Sequence, residues 1–342
     1  MINNFIPLFI IISLLIIYIT KKNSLLTDIK SEKHKRFSSK SKSHFLGGLL
    51  LIIFFYQEFM IVNFKVFLIT FLTLIFLLGF FSDLKKINSV SLRFFIQLII
   101  IFLFSQLIGL EINNTKIFFI DMILQNIYAN IFFVVFCLMI LVNGSNFIDG
   151  INGLLISYYL LIFLIILFIF KNFYYVDEIF LRNLVFVLTI LLIFNFAGLI
   201  YMGDSGAYLL STFAGIYLIN LAQFNHSISP YFVILLLWYP CFELLFSMIR
   251  RNLKKNKTYK PDTIHLHQLI FSFIIKKLKL QNNLYNHFFT TLIINIYNFF
   301  IFFFSIKYIF NSEMLIALLF FNIISYLFIY YLLKNKLKNS IK

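Results

Sequence analysis

The chain has 342 residues, of which 61% are hydrophobic and 12% charged, and its mean hydropathy is +0.95. Soluble domains carry about 25% charged residues, so this composition excludes an ordinary water-soluble fold and points to repeated passage through a bilayer. The net charge of +16 would suit nucleic acid, but the basic residues fall in a few loops between apolar runs, which excludes that class of partner.

Apolar runs of membrane-spanning length predict eleven helices. They cover roughly 5–20, 45–56 extending toward 62, 64–81, 92–110, 127–142, 153–170, 184–200, 206–222, 230–249, 287–304 and 314–333. Helices are expected because lipid offers the backbone no other hydrogen-bond partner, and no alternating barrel pattern is present. The first run lacks a basic segment before it and a small-residue cleavage site after it, so it reads as a retained span. The segment 111–121, EINNTKIFFID, is too short and polar to span and suits an external hairpin or an interfacial position. Cys137 and Cys241 lie inside apolar runs and form no disulfide framework.

With eleven spans and the N-terminus outside, only Lys65, Lys116, Lys171, Arg182 and Lys307 fall on the outer side, and the other 24 of 29 Lys and Arg lie inside. That bias sets the orientation. Without internal repeats or flexible linkers, residues 1–342 read as a single integral domain: an all-α polytopic membrane protein with a cytoplasmic C-terminus.

Four inner segments hold most of the side chains capable of chemistry. They are GFFSDLKKINSVSLRFFIQ (79–97), NGSNFIDGINGL (143–154), YMGDSGAYLL (201–210) and RRNLKKNKTYKPDTIHLHQL (250–269). Each has an ordinary explanation: Asp83 as a solvated helix end, Asn and Gly of 143–154 as turn formers, Asp204 as a helix N-cap, Glu243 as a residue reaching toward the interface, and His265 with His267 as exposed loop residues. Together they say more. Asp83, Asp149 and Asp204 sit at the inner ends of three different spans, and carboxylates that converge repel unless a cation lies among them. Hard oxygen ligands beside Asn amides suit Mg²⁺, which binds one or two carboxylates plus substrate phosphates; Mn²⁺ is the expected substitute. Surrounding Lys, Arg and His would complement a diphosphate. The pattern reads as phosphoryl chemistry at the inner membrane surface, on one soluble anionic substrate and one lipid.

These segments resemble, in order and spacing, the polyprenyl-phosphate N-acetylhexosamine-1-phosphate transferases. NGSNFIDGINGL is similar to that family's Asn-x-x-Asn-Phe-x-Asp-Gly-x-Asp-Gly-Leu loop, YMGDSGAYLL to Phe-Met-Gly-Asp-x-Gly-Ser, and PDTIHLHQLI to Pro-Asp-Arg-x-His-Leu-His-His. GFFSD…R…Q resembles Gly-x-x-Asp-Asp…Arg…Gln, Pro240 to Glu243 a Pro-x-x-Asp stretch, and Asp28 to Gly48, more loosely, the N-terminal loop. The resemblance implies attack by undecaprenyl phosphate on the β-phosphorus of a UDP-sugar, with release of UMP, at a bacterial cytoplasmic membrane. It implies that Asp83, Asp149 and Asp204 are the catalytic carboxylates, with Asp204 and Asn146 on the metal. Asp83 would position or deprotonate the lipid phosphate. His265 and His267 would bind phosphate oxygens, and Asn143, Asn146, Asn152 and Arg251 complete the substrate-binding set. A homodimer is left open.

This sequence departs from the family pattern at Ser82, in place of the first Asp of the acidic pair, and at Asn152, Thr263, Gln268 and Ala207. These departures bear on base and sugar choice. A peptidoglycan phospho-sugar translocase is the alternative within the family, although its His triplet is absent here. A transporter would place its ionisable residues near the midplane, whereas here they collect at one face. A silent relative that lost activity with Ser82 is the remaining alternative. GDSG resembles a serine-protease loop without the fold to hold a triad, and a zinc site at His265, His267 and Asp262 lacks further ligands.

Overall fold

The computed structural model describes residues 2–26, 44–61, 66–169, 178–253, 264–278 and 283–338. They form thirteen helices: α1 (Ile2–Lys22), α2 (Gly47–Ile61), α3 (Val66–Asp83), α4 (Val90–Ile108), α5 (Phe118–Leu124), α6 (Ile127–Ile148), α7 (Leu154–Ile169), α8 (Glu178–Phe196), α9 (Gly203–Phe224), α10 (Pro230–Leu253), α11 (Leu266–Leu278), α12 (Asn283–Lys307) and α13 (Ser312–Lys338). Two two-residue strands complete the set, β1 (His44–Phe45) and β2 (Ile200–Tyr201). Among the described residues, α3, α4, α6, α8, α9, α10, α12 and α13 are long and apolar enough to cross a membrane, while α2 and α7 are apolar but shorter. The protein is an all-α polytopic membrane protein.

The periphery shows what solvent the chain expects. Phe299, Phe300, Phe303 and Phe304 of α12 and Phe320, Phe321 and Phe328 of α13 are all exposed. Apolar patches of that extent do not persist in water; they suit a surface in contact with lipid.

The middle of the bundle is α9, in which every residue from Ser205 to Leu221 is buried. It packs against α2, α3 and α6. Without a hydrophobic driving force in lipid, helices associate through close backbone approach at small residues. Gly79 of α3 makes that approach: a Cβ on it would lie 2.5 Å from Ser205 Cα. The strands pair in parallel, His44 with Ile200 and Phe45 with Tyr201. They give partners to non-helical backbone at the entrances of α2 and α9.

Two loop expectations are corrected. The expected loop 143–152 shrinks to a turn, because α6 continues to Ile148. Its polar side chains bond back along the helix and across to neighbours. Asn143 Nδ2 donates to Met139 O at 2.8 Å and to Gln97 Oε1 at 3.0 Å, and Ser145 Oγ donates to Leu141 O at 2.7 Å and lies 2.6 Å from Tyr159 Oη. Tertiary partners thus override weak helix propensity. The expected loop 250–286 contains α11, whose Leu266, Leu269, Ile270, Phe273 and Ile274 follow the helical apolar spacing; at 13 residues it is too short to span. Segment 111–121, expected not to span, leads at its end into α5, which at seven residues is far too short to cross a membrane. The expectations at Asp28, at Pro261 to Thr263 and at Asp262 as a zinc ligand lie outside the described residues.

Candidate active site

Three acidic residues from three helices meet at the first turn of α9. Asp83, the last residue of α3, accepts hydrogen bonds from Asp204 N at 2.8 Å, Ser205 N at 3.1 Å and Ser205 Oγ at 2.7 Å. Asp149, just beyond α6, accepts from Gly203 N at 3.1 Å. The first amides of any helix lack intrahelical partners, and a local side chain usually supplies one. Here the N-cap residue is Met202, which makes no side-chain cap, so α3 and α6 supply the acceptors instead. Carboxylates placed there also meet the positive end of the helix dipole. That offsets part of the repulsion between them. Gly203 makes the approach feasible: its φ is +68°, and a Cβ on it would lie 2.6 Å from Asp83 Oδ2.

Asp204 does not cap its own helix. Its Oδ2 accepts from Ser82 Oγ at 2.5 Å and from Arg93 Nη1 at 2.6 Å, and the same Arg93 nitrogen donates to Ser82 Oγ at 2.5 Å. Ser82 thus contacts both members of a direct carboxylate–guanidinium pair, at the position where the family resemblance has a second acid. The Asp204 and Arg93 side chains each retain 22% of their surface, so the pair is open to a ligand.

The α6 terminus also meets the histidine loop. His265 Nδ1 is 2.8 Å from Glu243 Oε1. The rings of His265 and His267 stack at 5.5 Å with 6° between their planes. Phe147 of α6 packs on His265 at 5.2 Å and beneath the Arg251 guanidinium at 5.6 Å. A Cβ on Gly150 would lie 3.7 Å from His267 Nε2, so His267 adjoins the residue after Asp149. Burial pushes the His267 ring down to about 3, which keeps it neutral at physiological pH.

The end of α6 and the residues just after it, 146–150, thus adjoin both an acidic cluster, Asp83, Asp149 and Asp204 with Arg93, and a cluster of His265, His267 and Arg251. Asn146 is half-buried and lies one helical step of three from Asp149, on the same stretch of the α6 surface. Asn143 sits farther up α6 against Gln97. Asn152 is placed apart from both clusters. Buried, it donates through Nδ2 to Asn195 O at 3.3 Å and through N to His287 Nδ1 at 3.2 Å, and its carbonyl accepts from Thr291 Oγ1 at 2.9 Å. Those bonds tie the turn to α8 and α12.

Glu243, expected to reach toward the interface, is instead fully buried and paired. A lone acid inside an apolar span was the signal for it. Its second partner, Tyr326 Oη at 2.7 Å, is one of 19 tyrosines, and nothing in the sequence distinguishes it.

Among the described residues no three His, Cys, Asp or Glu side chains form a group that could hold a metal ion unaided. The donor set is nonetheless hard: Asp204, Asp149 and the Asn146 amide supply oxygens only. This fits a cation that draws most of its ligands from phosphate and water and does not fit one needing a cage of protein side chains.

Residues 65–222 match the family described as Glycosyl transferase family 4. The matched segment holds Asp83, Arg93, Asp149 and Asp204; Glu243 and the histidine loop lie beyond it. No curated protein matches the chain.

Proposed function

We propose, from the match of residues 65–222 to glycosyl transferase family 4, that the chain transfers an N-acetylhexosamine-1-phosphate from a UDP-sugar to undecaprenyl phosphate. UMP is released, and the lipid-linked sugar starts a cell-surface polysaccharide. That match supports, in general, a polyprenyl-phosphate sugar-1-phosphate transferase. The observation that carries the finer reading is the meeting of Asp83, Asp149 and Asp204 with Arg93 at one helix terminus.

In the proposed reaction an oxygen of the lipid phosphate forms a bond to the β-phosphorus of the donor. The bridging P–O bond breaks, and UMP leaves with that oxygen. The phosphate monoester is largely ionised near neutral pH, so little base catalysis is required. Positioning and charge neutralisation do most of the work, as in other phosphoryl transfers. Asp83, fixed by three donors, sets the α9 terminus against which the lipid phosphate lies. Arg93 neutralises charge beside Asp204, while Arg251, His265 and His267 contact the diphosphate beside the end of α6. Asp204 and Asn146 would hold Mg²⁺, or Mn²⁺ in its place, whose chemistry when bound is to neutralise the diphosphate oxygens. The positive-inside bias of the basic loops supports a cytoplasmic position for this face.

The test supplies purified protein with undecaprenyl phosphate, Mg²⁺ and a panel of UDP-GlcNAc, UDP-GalNAc and UDP-deoxyhexosamines, and measures UMP. One donor should release UMP, and Asp204→Asn should abolish release while the protein stays folded. Folded protein that releases no UMP from any donor, or an Asp204→Asn variant with unchanged turnover, overturns the proposal.

A further inference from the structure

The His265 ring is held from behind by a chain of buried polar atoms that reaches the last helix. Glu243 has no exposed surface, yet both of its oxygens are used: Oε1 by His265 Nδ1 at 2.8 Å and Oε2 by the Tyr326 hydroxyl at 2.7 Å. An ionised carboxylate only accepts, so with donors on both oxygens His265 carries its hydrogen on Nδ1. Nε2 is then the ring nitrogen not tied to Glu243.

The surroundings leave the chain few alternatives. The Tyr326 ring is fixed edge-on by Phe242 at 4.9 Å and Phe246 at 5.5 Å. Behind it, a cavity of about 490 Å³ between α10, α11, α12 and α13 has almost wholly apolar walls, including Trp238, Ile270, Ile294 and Leu333. One turn further along α13, the Tyr330 hydroxyl accepts from Arg250 Nη1 at 2.8 Å, and the same nitrogen donates to Ile264 O at 2.6 Å, beside His265. Two tyrosines one helical turn apart on α13 thus connect, through Glu243 and Arg250, to the adjacent residues His265 and Ile264.

We infer that Glu243 and Tyr326 are positioning residues that lock the tautomer and orientation of His265, so that α13 takes part in binding the donor diphosphate. Second-layer hydrogen bonds to a functional imidazole commonly act in this way. The inference rests on the reading above in one respect, that His265 contacts the diphosphate.

The experiment measures donor KM and kcat for His265→Asn, Tyr326→Phe and Glu243→Gln, alone and with each of the last two combined with His265→Asn. Tyr297→Phe, whose hydroxyl bonds to Asn322, serves as a control. Tyr326→Phe should raise donor KM about 3- to 10-fold, the worth of one hydrogen bond, and leave kcat within about twofold. Glu243→Gln should raise KM further, and Tyr297→Phe should match the parent. On the His265→Asn background neither change should add more than about twofold, because partners in one chain are not additive. An unchanged KM in Tyr326→Phe overturns the inference, as does a full effect persisting without His265; Tyr326→Phe decides the matter should Glu243→Gln fail to fold. If His265→Asn leaves donor KM unchanged while Asp204→Asn stops turnover, the positioning role falls and the transferase reading stands. If no donor yields UMP, that reading falls, and calorimetric UDP binding by the same variants decides the positioning role. A Tyr326→Phe affinity loss that vanishes without His265 supports it, and unchanged affinity overturns it.

Discussion

Gly203→Ala tests whether the α9 terminus and the Asp83 carboxylate are one device. Two effects act at this position. The backbone sits at φ +68°, where a Cβ costs about 1–2 kcal/mol. The added carbon would also lie 2.6 Å from Oδ2 and 2.8 Å from Oδ1 of Asp83. Relieving that contact requires the carboxylate to retreat by roughly half an ångström. The retreat would stretch its bonds to Asp204 N and Ser205 N, now 2.8 and 3.1 Å, beyond useful length. Gly109 separates the two effects, since it has φ +70° and a methyl group added there would meet nothing within 4 Å. Gly109→Ala should therefore lower the melting temperature through backbone strain alone and leave UMP release within about twofold. Gly203→Ala should lose the same increment plus about 1–3 kcal/mol from the weakened charged bonds. Displacing a positioned group should also cut turnover by about 10- to 100-fold. Thermal unfolding in detergent and initial rates of UMP release measure both. Equal loss of stability and equal turnover in the two variants would refute the argument.

Ser82→Asp places a second carboxylate where Ser82 Oγ now lies 2.5 Å from both Asp204 Oδ2 and Arg93 Nη1. Arg93 can bridge two acids, so UMP release should be retained or raised; complete loss would show a different arrangement. Asn152→Ala removes a buried bond to Asn195 O and should cost about 1 kcal/mol of stability with donor KM unchanged, whereas a raised KM at unchanged stability would place Asn152 in the donor site. The His267 ring is held down to about 3 from an ordinary 6.5, so the unfolded chain takes up a proton that the folded chain refuses. Stability should therefore be fully present above about pH 6.5 and fall as pH drops toward 3. Melting temperatures between pH 7 and 5 should fall more steeply in the parent than in His267→Asn, and parallel curves would refute the assignment.

Most of the membrane framework was legible in the sequence because the bilayer imposes a single rule on every span: apolar length with internally satisfied backbone. The rule fails where tertiary contacts replace lipid. Asn143 and Ser145 look like loop residues in isolation, and bonds back to Met139 and Leu141, with Gln97 and Tyr159 across the bundle, satisfy them within a helix. The α11 helix has helical apolar spacing over only 13 residues and lies in a basic segment whose charges carry the stronger signal, that of orientation. The site divides in the same way. Asp83, Asp149 and Asp204 could be singled out because each is an acid at a span end, and convergence was the reading that gave all three a use.

What no local pattern could show is how those acids are held. In soluble helices the acceptor for the first amides usually lies within a residue or two of the terminus. For α9 the sequence supplies Met202 and Gly203 there, which have nothing to offer, and the deficit is itself informative. An uncapped helix start buried in a bundle must draw acceptors from elsewhere, and the acids at other span ends are the groups able to supply them. Asp83 and Asp149 thereby serve structure and site together: the bonds that fix the α9 terminus also hold these carboxylates beside Asp204. The same logic extends to Glu243, a buried acid whose partners, His265 and Tyr326, come from α10's neighbours in space and not in sequence. In a chain with so few charges, each buried acid has to be satisfied across the fold. Tracing those partners therefore leads from the helix ends to the histidine loop and on to the last helix.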